Sequence, residues 1–257
     1  GCPVVSQAQP MTMMALLSGV KASHIADCLW GQMMPNGKEA DRFPAELARA
    51  GIQASYSHPT LWRIREDIFM LMANHEYGFS GLDSLDISKA TIEGRAELHR
   101  IVGKLRRLGG RWKDLYIVAT SEHIGVREGR RIHGLYRITT EDIIHGRRHD
   151  DSVCTVRFPV DIHSTDPKKG KGFGSEGITA KPYDIPLRAL IAKDISNLLL
   201  AGRCISGDFY AHASYRVTGN AVATGEAAGR HAALSVRTAC SPSQIQIKRI
   251  KEQSDDQ

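Results

Sequence analysis

Long apolar runs are the first thing this sequence lacks. Such runs as there are, for example residues 68–73 and 198–201, fall far short of the ~20 residues that span a bilayer as a helix. No membrane-spanning helix is expected, and no membrane partner. Aromatic residues are also scarce, at 6%. The basic runs 104–107, 168–171 and 248–251 come without a recognisable nucleic-acid module. Solvated faces explain them, and no nucleic-acid partner is expected. Cysteines number five, at positions 2, 28, 154, 204 and 240. An odd count with no CxxC and no Cys/His cluster supports neither a disulfide framework nor a zinc or iron–sulfur site. Reduced thiols in a cytoplasmic protein are the reading that fits. His145 and His149 have an i,i+4 spacing but no third ligand, so no metal site is expected. No charged segment followed by an apolar one opens the chain, so no secretory signal is expected.

What is present is an ordinary globular composition, 42% apolar and 24% charged in 257 residues. That excludes disordered and collagen-like chains. Lys and Arg number 34 against 28 Asp and Glu, a net charge of +6 that suits an anionic ligand or a mildly basic surface. Residues 9–20 read as a strand. Residues 23–47 read as helical in parts, interrupted at 34–37 and at Pro44. Residues 62–74 fit either period, with strand favoured in the second half. Residues 86–108 are the clearest helix of the first half. Asp86 or Ser88 caps it, Ile92, Ala96, Ile101 and Leu105 share a face, and Gly109-Gly110 ends it. Residues 115–120 read as a short buried strand and 126–138 as a hairpin or β-rich stretch. Thr139 and Thr140 cap a short helix with acids first and bases last, as the helix dipole favours. Residues 153–162 alternate like a strand, 166–177 form a loop, and 197–201 read as a strand buried on both faces. A long helix covers 215–236, and the polar tail 241–257 frays. Strands and helices mix without clean βαβ alternation, which predicts an α/β class (α+β mixed).

Chemistry concentrates in residues 184–234. A short apolar strand runs into Gly202-Arg203, then a loop rich in Gly, Ser and His, then a helix beginning near Thr218-Gly219-Asn220. That helix carries Gly219, Gly225 and Gly229 among many alanines. Interior glycine costs about 1 kcal/mol relative to alanine, a cost that makes sense if another backbone or a flat ligand lies close. Strand, glycine turn and helix N-terminus also offer free N–H groups and about half a positive charge to an anion. Tight helix-on-sheet packing without a ligand explains the same pattern equally well at this stage.

The segment resembles the C-terminal flavin-binding end of the FAD-dependent oxidoreductase family sometimes labelled xanthan-lyase-like. The matching residues are Ile185-Pro186, Arg188, Leu190, the run from 197 to 203, Ile205-Ser206, Ala211-His212, Ser214, Arg216 and the run from 225 to 229. Upstream, QPMTMM at 9–14, ATIEGR at 90–95, IGVREGRRI at 124–132 and FPVDIH at 158–163 resemble further motifs of that family in the same order.

The resemblance implies a substrate-domain β-sheet with helices, joined to the C-terminal strand–loop–helix of a split, Rossmann-like FAD-binding domain. On this expectation residues 1–183 are a substrate or cap domain with a mixed sheet, 184–240 belong to the FAD-binding domain, and 241–257 are a polar tail. The family's GxGxxG for the ADP half of FAD has no counterpart. The nearest stretch, 170–175, ends in Ser175 and reads as a loop. The chain is therefore expected to lack an N-terminal dinucleotide-binding unit of about 150 residues, which becomes its expected partner. A homo-oligomer is left open. The cofactor implied is FAD, held by Gly202, Arg203, Ser206, Arg216, Thr218, Gly219, Asn220 and Ala221. The activity implied is hydride transfer from a small organic substrate to flavin N5. His212 is the candidate base, and Arg127 and Arg130 are candidate substrate clamps. His163, and more weakly His75, are further residues considered for the substrate cleft. The alternative is a non-catalytic half that needs a partner chain to bind FAD and serves assembly.

Overall fold

The computed structural model describes residues 8–168 and 170–245. They divide into two compact units, one built from residues 8–127 and 163–172, the other from 128–162 and 173–245. Helices mix with antiparallel strands along the chain, as the expected α/β class requires.

In the first unit, β1 (Met14–Ser18), β2 (Thr60–Arg63), β3 (Phe69–Met72) and β4 (Tyr116–Thr120) form one antiparallel sheet, in the order β2-β3-β1-β4. Alternation along the strands turns Ala15, Leu17, Leu61, Phe69 and Leu71 inward, each at most 2% exposed. Burying one such large side chain stabilises by about 1.5–3 kcal/mol. Both halves of 62–74 are strand, folded back by a turn in which Ile64 N–H bonds Ile68 O at 2.9 Å. Pro44 does not interrupt a helix. It lies in the first turn of α1 (Phe43–Arg49), where its missing N–H has no partner to lose.

The helix expected at 86–108 is α2 (Ser84–Arg107), and Asp83 caps it by accepting Leu85 N–H at 2.8 Å. Its buried stripe is Ala90, Gly94, Leu98, Ile101 and Leu105, whereas Ile92 is 68% exposed, and Ala96 is exposed too. The helix turns this way because Gly94 permits contact with the chain entering β1. A Cβ there would lie 2.8 Å from Met13 Cβ. The strand at 115–120 is not buried. β4 is a sheet edge, with Tyr116 and Val118 about half exposed.

In the second unit, β5 (Ser152–Val156) pairs antiparallel with β8 (Tyr183–Pro186). Between them lie β6 (Ile162–His163) and β7 (Phe173–Gly174), where the chain leaves this unit and returns. Ile138, Ile143, Val156, Tyr183, Ile185 and Ile205 are fully buried in a core shared with α3 (Thr140–His145), α4 (Phe209–Tyr215) and α5 (Thr218–Thr238). The short helix α3 starts as expected. Thr139 and Asp142 form a reciprocal capping box, and Gly146 in a left-handed conformation ends it. Thr139→Ala should cost about 1 kcal/mol, read as a lower urea midpoint with an unchanged slope.

Two expected strands are absent. Residues 126–138 make isolated bridges, at Gly134 and Ile138, because their partners at 188–206 are turns that offer one bond at a time. Residues 197–201 make only a tight return on 190–192 through Leu199, with Asn197 at φ 60° and Leu198 exposed at 37%. They have no second strand beside them among the described residues. The tail does not fray at its start, since the His231 ring bonds Pro242 O at 2.7 Å. Residues 246–257, and the Gly1-Cys2-Pro3 opening, lie outside the described residues.

Candidate cofactor site

The helix origin expected near Thr218 is where α5 begins, but the helix expected over 215–236 is two helices. Asp208 starts α4: its Oδ1 accepts Ala211 N–H at 2.9 Å. Its Oδ2 takes both the N–H and the hydroxyl of Thr140, at 2.6 and 2.8 Å, so one carboxylate serves the first turns of α4 and α3. The break falls at Arg216-Val217. Val217 is extended, with φ −79° and ψ 156°, and supplies no side-chain cap; α5 also has no acid in its first turn. The first intrahelical bond is Ala221 N–H to Val217 O at 3.1 Å. A 21-residue helix therefore presents its positive end without a side-chain acceptor.

The glycine turn lies on that end. Gly202 has φ 65°, a conformation that favours glycine. Its N–H donates to Thr224 Oγ1 at 3.0 Å, and a Cβ there would sit 3.5 Å from Ala221 Cβ. Gly202, Ala221 and the start of α5 thus form one surface. Thr218 and Gly219 are exposed, and nothing lies within 4 Å of where a Gly219 Cβ would be. Asn220 Nδ2 is buried without a hydrogen-bond partner. Arg203 is exposed at the turn. Arg216 is nearly buried, its Nη2 donating to Asp161 O at 2.7 Å with the Asp161 carboxylate 3.6 Å away. Burial lowers the Arg216 pKa, while Asp161 and Glu128 oppose that, and the guanidinium stays charged. Ser206 is set apart from this surface. It is 1% exposed, its Oγ has no partner, and it packs against Gly134.

His212 sits in α4, fully buried, with its ring edge-on to Tyr215 at 5.5 Å. Neither ring nitrogen makes a well-formed hydrogen bond, although the main chain of Arg203 approaches the ring. Burial, then the Arg131 and Arg216 guanidinium groups, push its pKa down to about 3. The ring is neutral at physiological pH. The arginines expected to act together have separate partners. Arg127 belongs to the first unit, where its Nη1 donates to Pro10 O at 2.6 Å and Thr12 Oγ1 at 2.9 Å. Arg130 is exposed, and Arg131 is buried 3.5 Å from Glu128.

Sequence reasoning missed Asp208, which caps α4 and ties it to α3, and Thr224, which holds the Gly202 turn to α5. A DFYAHAS stretch after glycine is a readable cap signal. In the first unit, His75 and His163 come within hydrogen-bond distance of one another, 2.9 Å. His145 and His149 do not join a ligand set, and no group of His, Cys, Asp or Glu among the described residues could hold a metal ion. No helix among them is long and apolar enough to cross a membrane.

An uncapped helix end, an orphaned buried amide, a glycine turn and two arginines lie together in the second unit. The residues present fit a flavin nucleotide. The model of the family described as FAD dependent oxidoreductase matches residues 4–253. The chain belongs to that family, whose cofactor is FAD and whose function is flavin-linked redox chemistry. No curated protein and no solved structure matches it.

Proposed function

We propose that this protein is an FAD-dependent enzyme in which a small organic substrate is oxidised by hydride transfer to flavin N5. The observation that carries this is the uncapped start of α5 beside the Gly202 turn, within a chain of the FAD family. Bound flavin supplies the two-electron acceptor. The chain's own residues supply the electrostatics. The N–H groups of Thr218, Gly219 and Asn220, with the Asn220 amide, suit a flavin edge that gains negative charge on reduction. Gly202 and Ala221 form the flat approach, and Arg203 and Arg216 suit phosphate or carboxylate oxygens, whereas Ser206, packed against Gly134, stands outside this surface. Arg130 is free to meet a substrate carboxylate from solvent, and Arg127 fixes the main chain at Pro10. His212 is assigned as the proton acceptor under one condition. An anion bound at Arg203 and Arg216 offsets part of the field that keeps its ring from protonating. No glycine-rich dinucleotide loop occurs in the sequence, so this reading gives the ADP half of FAD to a separate dinucleotide-binding unit.

The test is a flavin titration of the whole chain, alone and mixed with a GxGxxG-bearing unit, followed by absorbance. Yellow protein is expected in the mixture, with binding weakened about tenfold by Gly219→Asp, which sets a carboxylate against the same anion. Protein that stays colourless in both experiments would refute the reading and leave the non-catalytic alternative.

A further inference from the structure

The Gly202 turn and the first turn of α5 meet at one buried atom, the hydroxyl oxygen of Thr224. Thr224 is 1% exposed and lies one helical turn past Asn220. Its Oγ1 donates to Asn220 O at 2.9 Å, with Ala221 O at 3.2 Å, and accepts the Gly202 N–H at 3.0 Å. A hydroxyl has one proton to give and two lone pairs. That proton is committed to the carbonyls of α5, and a backbone N–H can only donate, so the direction of each bond is fixed. The bond back to residue i−4 is common for a threonine within a helix and does little by itself. The bond from Gly202 crosses 22 residues of chain and has a different consequence.

What that bond holds is a short turn with poor hydrogen-bond geometry of its own. Gly202 opens it at φ 65°. The far end is anchored by Ile132 N–H, which donates to Cys204 O at 3.0 Å. The near end is anchored by Thr224. Arg203 stands between the two anchors, exposed, with its main chain close to the His212 ring. A Cβ on Gly202 would lie 3.5 Å from Ala221 Cβ, so turn and helix are at contact distance where the clasp closes. On the helix side, the carbonyl that Thr224 holds belongs to Asn220, whose Nδ2 is buried without a partner.

We infer that Thr224 is a positioning residue for the flavin: its hydroxyl sets the Gly202 turn against the first turn of α5, so that Arg203 and the N–H groups of Thr218, Gly219 and Asn220 meet one anionic ligand together. This inference rests on the proposed flavin reading. Thr224 is itself buried and acts through those groups. Valine has nearly the shape of threonine but would leave the Gly202 N–H without an acceptor, and the near end of the turn without its anchor. Serine would keep both bonds.

The experiment uses the whole chain as wild type, Thr224→Val and Thr224→Ser, in two measurements. In the first, each is mixed with the GxGxxG-bearing unit and titrated with FAD. Thr224→Val should bind FAD about tenfold more weakly than wild type, the effect of one buried N–H left without an acceptor. Thr224→Ser should stay within about twofold of wild type. In the second, amide hydrogen exchange is followed on the chain without flavin. The wild-type Gly202 amide should exchange at least about tenfold more slowly than the Gly219 amide, which heads α5 ahead of the first intrahelical bond. Thr224→Val should remove that difference and leave the amide of Leu234, further along α5, as protected as before. A threonine that only fills space would give equal FAD affinity in wild type and Thr224→Val, and that result would overturn the inference. So would Thr224→Ser binding as weakly as Thr224→Val, or wild-type Gly202 exchanging as fast as Gly219, a measurement that needs no variant to fold. Each of these leaves the flavin reading intact. Wild type that stays colourless in the FAD mixture would remove the flavin reading and the positioning role with it.

Discussion

Glu46→Ala is expected to remove about 3–5 kcal/mol of stability, the range for breaking a buried ion pair from one side. Glu46 is fully buried in α1. Its Oε1 lies 2.7 Å from Arg49 Nη1 and 3.1 Å from Arg111 Nη2, and its Oε2 accepts Trp112 Nε1–H at 2.8 Å. Trp112 is itself 1% exposed and among the largest buried side chains. Truncation would orphan its indole N–H in a low-dielectric core. Arg111 would retain Asp27, 2.6 Å away, but lose its buried counter-charge. Arg49 and Arg42 are 58% exposed, so Arg49→Ala should cost under about 1 kcal/mol. Burial alone would raise the Glu46 pKa, but the Trp112 bond and the Arg49 and Arg111 cations hold it below the usual range. Its stabilising contribution is therefore present above the unfolded value of 4.5 and is lost as pH falls through the lower folded value. Urea unfolding at pH 7 reads the effect. A loss of under 1 kcal/mol for Glu46→Ala would show that the network is peripheral.

The parts of this chain legible in the sequence are those determined by neighbours along it. The α3 capping box joins Thr139 to Asp142, three residues on. The α5 origin follows from a glycine turn and an uncapped Val-Thr-Gly-Asn stretch, and α2 shows through its length and its glycine stop. What the sequence hides is set by distant contacts. Ile92 and Ala96 look core-facing until Gly94 is seen to rotate α2 onto Met13. The stretch at 115–120 is apolar enough for an interior strand, yet it occupies an edge because β1 pairs with β3 on its other side. The NLLLA stretch at 197–201 has the composition of a buried strand, but nothing among the described residues runs beside it except its own return. Residues 128–162 carry no composition shift to set them apart from what precedes them, yet they pack with the C-terminal residues. The same holds for the candidate site residues. Gly202, Arg216 and Gly219 fall within one short segment and can be read together. His75 and His163 cannot, because 88 residues separate them and only the fold brings their rings together.

Glu76→Gln is expected to act in the opposite sense to Glu46→Ala, stabilising the protein at alkaline pH. Glu76 is 7% exposed, and its Oε1 is buried with no hydrogen-bond partner, 3.3 Å from where a Gly94 Cβ would stand. It faces Glu93, Glu97 and Arg100 on α2. Glu97 is buried too and is held by Ser55, whose N–H and hydroxyl donate to it at 2.9 and 2.6 Å. Burial first, then repulsion from Glu97 and Glu93, lifts the Glu76 pKa to about 7, with Arg100 opposing. A carboxyl whose folded pKa exceeds its unfolded value of 4.5 favours the folded state fully below pH 4.5. That advantage is lost as pH rises through about 7. The shift corresponds to roughly 3 kcal/mol, an upper figure, since side-chain movement or entering water would relieve part of it. Wild type should therefore lose stability between pH 5 and 8. Glu76→Gln, neutral throughout, should match wild type near pH 5 and exceed it by up to about 3 kcal/mol at pH 8. Urea midpoints measured in parallel across that range decide the matter. Profiles that stay parallel would mean that Glu76 is ionised and solvated in the folded protein. A divergence that grows with pH would identify this carboxyl as the group whose ionisation the first unit resists.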